Sequence, residues 1–181
     1  KWYATNKATL GVVGDVDPDE GYKQAKKHFG PLKAGEVSPP KPRVEIRQLG
    51  SKRIEVAAPA KLPYLMMGYK APVLLTTDED WEPYALEVLA NILDGGSSAR
   101  LTSELVRGSE IAASAGAGYD AFDRMEGLFL FSGTPSNGHT VEELQAALQQ
   151  QIARLQKDSV DPAELARGTA HTRAGKLYAP A

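Results

Sequence analysis

Residues 81–108, WEPYALEVLANILDGGSSARLTSELVRG, are patterned as two helices joined by a glycine- and serine-rich loop. In the first helix, apolar residues recur at three- and four-residue steps, which places one apolar stripe on an α-helix and favours packing against a sheet. Asp80 is the predicted N-cap, and Pro83 is compatible with the first turn, where backbone N–H groups lack helical partners. The stripe consists of Trp81, Ala85, Val88, Leu89 and Ile92.

The loop between these helices begins at residues 94–96, an aspartate followed by two glycines. Because glycine lacks a Cβ, the backbone is free to turn there. The hydroxyls of Ser97 and Ser98 are predicted to cap the second helix, and Gly108 is predicted to end it. The apolar stripe of the second helix is Leu101 and Leu105.

The first 35 residues are patterned as a strand followed by a helix. Residues 8–13, ATLGVV, form a β-rich run that predicts a buried strand. Asp17, Pro18 and Glu20 together indicate the start of a helix that ends at residues 30–31. The inward-facing residues of this helix are predicted to be Tyr22, Ala25 and Phe29.

Residues 31–42 contain four prolines and few apolar residues, which is typical of a semi-extended linker. We therefore expect a domain boundary near residue 40. Beyond it, apolar and charged residues alternate in residues 43–49 and again in residues 53–57, which predicts a hairpin. Residues 63–71 predict a further strand.

The C-terminal part is patterned as a hairpin followed by two helices. Residues 111–122 and 127–133 are extended runs on either side of a turn. Thr140 and Glu143 form a capping box before an amphipathic helix, and residues 161–164 begin a last helix that carries no stop signal, so the end is interpreted as cut. The order of elements predicts an α+β fold, with helices packed on one face of a mostly antiparallel sheet.

The composition is that of an ordinary globular chain and argues against several classes of function. The 181 residues are 42% apolar and 24% charged, enough for one domain or one domain plus a piece of another. A net charge of −2 offers no attraction to nucleic acid or an anionic membrane, and no apolar run approaches the roughly 20 residues of a membrane helix. Without cysteine there is no disulfide or thiolate zinc site, and both bacterial periplasm and cytoplasm stay open as compartments.

Three stretches in this order resemble the M16 metallopeptidases, the family of pitrilysin, insulysin and the mitochondrial processing peptidase. They are WYATNKATLGVVGDVDPDE, HFGPL and ALEVLANILDGGSSARLTSELVR. The likeness covers almost the whole chain and implies the M16 half-domain fold, specifically the inactive C-terminal M16 domain. Residues 1–35 would be the strand-helix tail of the preceding zinc-bearing half-domain. Residues 36–42 would be the proline-rich linker, and residues 43–181 a second, non-catalytic half-domain truncated at its C-terminus.

The sequence lacks the residue pattern that zinc hydrolysis requires in this family. An M16 peptidase needs two histidines one helical turn apart and a glutamate base, in the motif H-x-x-E-H. None of His28, His139 and His171 has a second histidine four residues away. His139 precedes the capping box, and the other two are interpreted as solvated helix residues. The alternating acidic residues at 15–19 fit a helix cap better than a calcium loop, because the glycine falls one place late and a proline interrupts. We assign no catalytic residue and no metal ligand to this chain.

The resemblance also implies residues that handle substrate. Family members place a glycine-rich loop near the peptide, followed by an arginine and a tyrosine; here Arg107 matches the arginine, but Ala113 stands at the tyrosine position, which argues against direct transition-state assistance. The open loop backbone can face a peptide and Arg100 can offer a charged donor, although a simple turn between helices also explains the glycines. The candidate substrate-binding residues are Gly95, Gly96, Ser97, Ser98, Arg100 and Arg107.

These observations predict a non-catalytic domain of a zinc-dependent M16 peptidase that helps enclose and position an extended peptide and is not active alone. Zinc and the base are expected in the parent protein, outside this chain. The expected partners are an upstream catalytic M16 domain, a second M16 half or subunit, and the peptide. One alternative is a non-proteolytic, processing-peptidase-like or core-like assembly subunit. An upstream H-x-x-E-H motif would favour the peptidase, and its absence would favour this subunit. A third is a small-ligand binding module, which predicts a closed apolar pocket.

Overall fold

The computed structural model describes residues 4–38, 46 and 48–178 of the chain. Its contacts divide the chain into two compact units, Lys1–Glu55 and Val56–Ala181. The sequence places the boundary earlier, in the proline-rich linker at residues 36–42, and residues 39–42 of that linker lie outside the described part. Assignment of residues 1–35 to a preceding half-domain stays a prediction.

The first unit contains one long helix, α1 at Pro18–Phe29, preceded by a short 3₁₀ turn at Thr5–Lys7. The predicted cap of α1 is confirmed, because Oδ1 of Asp17 accepts hydrogen bonds of 2.9 Å from the backbone N–H groups of both Asp19 and Glu20. After the helix, the carbonyl of Lys33 accepts a hydrogen bond from the Thr5 hydroxyl at 2.6 Å. The proline-rich stretch at residues 31–42 is therefore hydrogen-bonded, near its start, to the turn that precedes α1.

The predicted strand at residues 8–13 is wrong for this chain, since these residues are exposed and form no ladder. A strand requires a neighbour for its backbone N–H and C=O groups, and the described residues of the first unit contain no other strand. The inward face predicted for α1 is wrong for the same reason. Tyr22 is 67% exposed and Phe29 is 55% exposed, because no layer covers them in the described residues.

The hairpin predicted at residues 43–57 is not present in its described portion. Residues 43–45 and 47 lie outside the described part, and residues 48–57 contain no strand although they alternate in sequence. Ile54 and Val56 are exposed there. Alternation indicates two faces of a strand but does not supply the partner that a ladder needs.

The second unit is built on a three-stranded antiparallel sheet in the order β1-β3-β2. The strands are β1 at Leu65–Ala71, β2 at Ala112–Gly118 and β3 at Gly127–Pro135. In the central strand, alternate residues are buried, and Phe131 lies opposite Met67 on one side and Ala117 on the other. This arrangement confirms the predicted strand at 63–71, the second hairpin and the α+β class.

Helices cover the face of the sheet that carries Phe129 and Phe131. They are α2 at Glu82–Asp94, a short π-helix at Leu101–Val106 and α3 at Val141–Lys157. A last helix, α4 at Pro162–Tyr178, packs on α2. The capping box of α3 is confirmed, since Thr140 and Glu143 exchange both of its hydrogen bonds. The start of α4 is confirmed as well, because Asp161 accepts from the N–H groups of Ala163 and Glu164. The largest fully buried side chains of the core include Leu93, Leu101, Leu144 and Leu148.

The predicted stripe of helix α2 is correct only in its later part. The N-cap is Trp81 rather than Asp80, its backbone is already helical, and it makes no side-chain cap hydrogen bond. Trp81 is 65% exposed, and Ala85 is exposed too. The later part of the stripe is confirmed, since Ile92 is only 4% exposed and Leu89 packs against the core. Other apolar residues at helical spacing face the core in place of Trp81 and Ala85, and their burial removes more apolar surface from water. They are Leu86, Ala90 and Leu93.

Candidate functional site

The loop after α2 depends on both of its glycines. The N–H of Gly95 donates to the carbonyl of Asn91 at 2.7 Å, and a Cβ on Gly95 would lie 2.2 Å from the same oxygen. Gly96 has a φ of +107°, a conformation that favours glycine, while a Cβ there would meet only Nε2 of His171 at 4.0 Å. A side chain at position 95 would therefore clash with the backbone, and a side chain at position 96 would strain the backbone conformation.

Two side chains hold this loop from either end. Nη2 of Arg107 donates to the carbonyl of Ser97, so the structure brings together two of the predicted site residues. At the start of the loop, Oδ2 of Asp94 accepts from the N–H of Ala117 in β2 at 3.2 Å. The predicted capping role of the serines is wrong, because the π-helix begins after Arg100 without a side-chain cap. The loop is fixed by its neighbours and not by its own hydroxyls.

Arg100 is engaged by α4. Its Nε and Nη2 donate to the two carboxylate oxygens of Glu164, each at 2.6 Å, and the side chains are only 15% and 16% exposed. The hydrogen bond to Glu164 raises the pKa of Arg100 above its usual value, so the guanidinium stays charged. Because the bidentate pair uses the forked edge of the guanidinium, Arg100 in this structure joins the end of the loop to α4.

The loop presents backbone donors that nothing else in the described residues uses. The N–H groups of Gly96, Ser97 and Ser98 make no hydrogen bond within the described part of the chain, whereas the N–H of Ala99 donates to the carbonyl of Gly96 at 3.0 Å. Successive free N–H groups beside a glycine with positive φ form a concave donor surface that suits carbonyl or carboxylate oxygens. The loop can therefore donate backbone hydrogen bonds to oxygen atoms of a ligand.

A groove of about 420 Å³ lies between α2 and α4, next to the loop. Helix α4 approaches α2 closely at Gly168, where a Cβ would lie 2.7 Å from Cγ1 of Ile92. One polar residue of this groove, Ser98, is a predicted site residue. Local sequence patterns missed the other polar residues, because they come together only when the two helices pack. The missed residues are Asn91, Glu164, Arg167 and His171.

One hydrogen-bonded chain crosses the groove. The side-chain nitrogen of Asn91 donates to the carbonyl of Glu87 at 3.0 Å and to the hydroxyl of Thr172 at 3.0 Å, while its oxygen lies 3.0 Å from Nδ1 of His171. His171 is exposed as predicted, but this hydrogen bond fixes its ring. Asn91 was not identified from the sequence, although its position one turn before Gly95 is the available signal.

Histidines and acidic residues do not converge on a common point in the described residues. No group of three or more His, Cys, Asp or Glu side chains there could hold a metal ion. Nδ1 of His139 lies 3.2 Å from Oε2 of Glu143, and the backbone hydrogen bond from Thr140, aided by His139, lowers the pKa of this carboxyl. The interpretation of His139 as part of a helix start is thereby confirmed. In the same part of the chain, every helix is too short or too polar to cross a bilayer.

The second unit is thus an α+β domain whose described residues present free backbone donors, and no metal-binding cluster occurs in the described part of the chain. The chain belongs to the family described as the Peptidase M16 inactive domain, whose family model matches residues 1–170. The resemblance to M16 metallopeptidases is confirmed by that match.

Similar proteins carry names that refer to zinc proteases. The chain is 30% identical over 167 residues to the zinc protease PqqE of Helicobacter pylori (strain ATCC 700392 / 26695), a match that covers 91% of this chain and 36% of that protein. It is 25% identical over 166 residues to the uncharacterized zinc protease YmxG of Bacillus subtilis (strain 168), of which it covers 38%. The chain thus spans little more than a third of these relatives.

A solved structure has the same fold. The crystal structure of a protease from Helicobacter pylori superposes on this chain with a TM-score of 0.70 at 25% identity. The superposition covers 91% of this chain and 40% of that protease. The predicted M16-type fold is therefore confirmed.

Proposed function

We propose that this domain is the non-catalytic part of a zinc-dependent M16 peptidase and that it helps enclose and position an extended peptide. The zinc ligands and the general base lie outside this chain, in a catalytic M16 domain of the parent protein. A second M16 half or subunit closes the opposite wall around the peptide. The family match and the names of the two relatives support the class, while the residue assignments rest on the geometry of the loop.

The observation that carries this proposal is the free backbone of the loop. An extended peptide is bound mainly through main-chain hydrogen bonds, which need donors that are fixed in place and not already used. The N–H groups of Gly96, Ser97 and Ser98 meet the second condition within the described residues. Arg107 meets the first by holding the carbonyl of Ser97, and Arg100 holds α4 behind the loop through Glu164. Both arginines thus position the donors.

The exposed apolar face of the first unit supports the assignment of residues 1–35 to a preceding half-domain. A groove of about 480 Å³ runs along α1, and its lining includes several apolar side chains that are exposed in this chain. Leu10 and Val12 of the β-rich run at residues 8–13 contribute to this lining, and that run has no ladder partner among the described residues. We therefore assign the missing layer and the missing ladder partner to the upstream catalytic domain. The apolar lining includes Leu10, Val12, Val16, Ala25 and Phe29.

The test compares Gly96→Ala with Gly138→Ala in the full-length parent protein. Both glycines have positive φ, +107° and +88°, and neither would bring a Cβ into a clash. The backbone strain is therefore matched, at about 1 kcal/mol or somewhat more in each variant. We expect peptide turnover or peptide affinity to fall only in Gly96→Ala, with zinc content unchanged in both. Equal kinetics in the two folded variants would reduce the loop to a connector.

Metal analysis separates the peptidase from an assembly subunit. The full-length protein is expected to carry zinc bound by an upstream H-x-x-E-H motif, whereas the 181-residue chain is expected to bind none stoichiometrically after dialysis. A full-length protein without that motif and without zinc would favour the assembly role. About one zinc per isolated chain, lost in His139→Ala, would contradict the placement of the metal outside this chain.

A further inference from the structure

We propose that the groove between α2 and α4 binds the C-terminal residue of a peptide, taking its carboxylate on Arg167 and its backbone N–H on Nε2 of His171. This inference deepens the proposed role in peptide binding by naming a second recognition point beside the loop. It assigns the groove to a chain end with a free carboxylate and an apolar side chain.

The tautomer of His171 follows from its neighbours. The carbonyl of Glu87 can only accept, so the side-chain nitrogen of Asn91 must face it, at 3.0 Å. The oxygen of Asn91 then faces Nδ1 of His171 at 3.0 Å, and Nδ1 must carry the proton. In the neutral ring Nε2 is left as an acceptor, and it is the ring nitrogen nearest the loop, 4.0 Å from a Cβ position on Gly96. A ligand N–H group matches this acceptor.

Arg167 supplies the complementary donor. It lines the groove four residues before His171 on α4, so the two side chains are neighbours on one helix face. Its guanidinium forms no ion pair with any described residue, whereas Arg100 is neutralised by Glu164. The groove therefore carries one uncompensated positive charge, which matches a single carboxylate better than a doubly charged phosphate.

An acceptor and a cationic donor on adjacent turns select the end of a chain. In the last residue of a peptide, the backbone N–H and the carboxylate are separated by one Cα, so both groups can reach neighbouring side chains at once. An aspartate or glutamate side chain carries its carboxylate farther from its own N–H and fits this pair less well. The remaining lining is small and apolar and suits an apolar side chain on that last residue: Ile92, Ala99, Gly168, Ala170 and Ala174.

The experiment titrates the 181-residue chain with three N-acetylated probes and follows binding by calorimetry and amide NMR shifts. The first probe is Ac-Ala-Ala-Leu with a free carboxylate, the second is the same peptide as a C-terminal amide, and the third is the amide Ac-Ala-Asp-Leu with an internal aspartate. We expect the free acid to bind at least about tenfold tighter than either amide, because only it forms the charge-assisted hydrogen bond.

Three variants distinguish the two recognition points. Arg167→Gln should reduce the affinity for the free acid to that of the amide, while Arg173→Gln, which changes an exposed arginine of the same helix outside the groove, should leave the preference intact. His171→Ala should weaken the free acid and the plain amide by the same factor, since both retain the backbone N–H. Thermal unfolding of each variant checks that the fold is retained.

Several results would overturn the proposal. These are equal binding of acid and amide, no binding of the acid at millimolar concentration, or an equal effect of Arg167→Gln and Arg173→Gln. Tight binding of the internal-aspartate amide would assign the groove to acidic side chains and so contradict a chain-end site. Because this titration needs neither zinc nor turnover, it can fail while the full-length protein proves to be a zinc peptidase, and it can succeed if the full-length protein lacks activity.

Discussion

Oδ2 of Asp94 lies 3.2 Å from the backbone nitrogen of Ala117, so the last residue of α2 occupies a hydrogen-bonding position on the outer edge of β2. The same carboxylate oxygen would be 2.9 Å from a Cβ placed on Gly116. Edge strands expose unpaired backbone groups that invite pairing with other chains, and a charged side chain at the edge opposes this. Asp94 therefore links the helix, the loop and the sheet at one point.

We expect Gly116→Ala to destabilise the domain by about 1–2 kcal/mol, because the new methyl group must displace the Asp94 carboxylate. Gly118→Ala on the same strand is the matched control, since a Cβ there meets nothing within 4 Å. Urea unfolding of both variants measures the difference. The effect of Gly116→Ala should shrink when Asp94→Ala is introduced as well, and an unchanged effect in that double variant would contradict the contact.

Substitution of Thr140, the N-cap of α3, should reduce the stability of the domain more than substitution of Asp80, which precedes the N-cap of α2. Thr140→Ala removes a formed capping hydrogen bond and is expected to cost about 1 kcal/mol of stability. Asp80→Ala removes the residue that the sequence pattern identifies as a cap, but the structure places the cap at Trp81, and the expected cost is below about 0.5 kcal/mol. Chemical denaturation distinguishes the two, and a larger loss in Asp80→Ala would restore the cap predicted from the sequence.

The close approach of α4 to α2 predicts opposite outcomes at two glycines of the same helix. In Gly168→Ala the new methyl group would lie 2.7 Å from Cγ1 of Ile92, so we expect a loss of about 1–3 kcal/mol from overpacking. In Gly175→Ala the methyl group meets nothing within 4 Å, and the better helix propensity of alanine is expected to add about 0.5–1 kcal/mol. Thermal melts provide the comparison, and similar melting temperatures for the two variants would contradict the packing.

Glu104 should contribute an acid-sensitive part of the stability. Burial raises the pKa of this carboxyl, but hydrogen bonds from Gln151 and Arg154, and the charge of Arg154, outweigh burial and lower the pKa below its ordinary 4.5. A carboxyl whose folded-state pKa is lowered stabilises the fold above its unfolded pKa, and this stability is lost as pH falls through the folded pKa. We expect the difference in unfolding free energy between wild type and Glu104→Gln to be greatest above pH 4.5 and to shrink on acidification. A difference that does not change with pH would contradict the shift.

Local patterns predicted those elements whose signals lie within a few residues. The cap at Asp17, the box at Thr140 and the hairpin of β2 and β3 belong to this group. The strand expected at residues 8–13 and the inward face of α1 depend on a partner, which the described residues of the first unit do not supply. The exposure of Trp81 and Ala85 was missed because two apolar sets of similar spacing overlap on α2, and only packing against β2 and α4 selects between them.

The candidate site shows the same division. The position of the loop followed from two adjacent glycines, but its supports come from far along the chain. Arg100 and Glu164 are 64 residues apart, and Asn91 and His171 are 80 residues apart. No local spacing relates such residues, so Arg100 was expected to face the peptide when in fact it pairs with α4. The sequence around Arg167 does not predict a binding role, because the groove that this residue lines exists only when α4 packs against α2.

The π-helix at Leu101–Val106 sets the directions in which the side chains of Glu104 and Arg107 point. Its hydrogen bonds skip five residues, as from the N–H of Arg107 to the carbonyl of Thr102 at 3.1 Å, so one turn holds an extra residue compared with an α-helix. The extra residue rotates the side chains that follow it about the helix axis, relative to their positions in an α-helix. Glu104 points to α3 and Arg107 points back to Ser97, and a strict α-helical turn would rotate one of them off its target. The extra residue therefore lets the π-helix and the residue that follows it, Arg107, contact two separate neighbours at once.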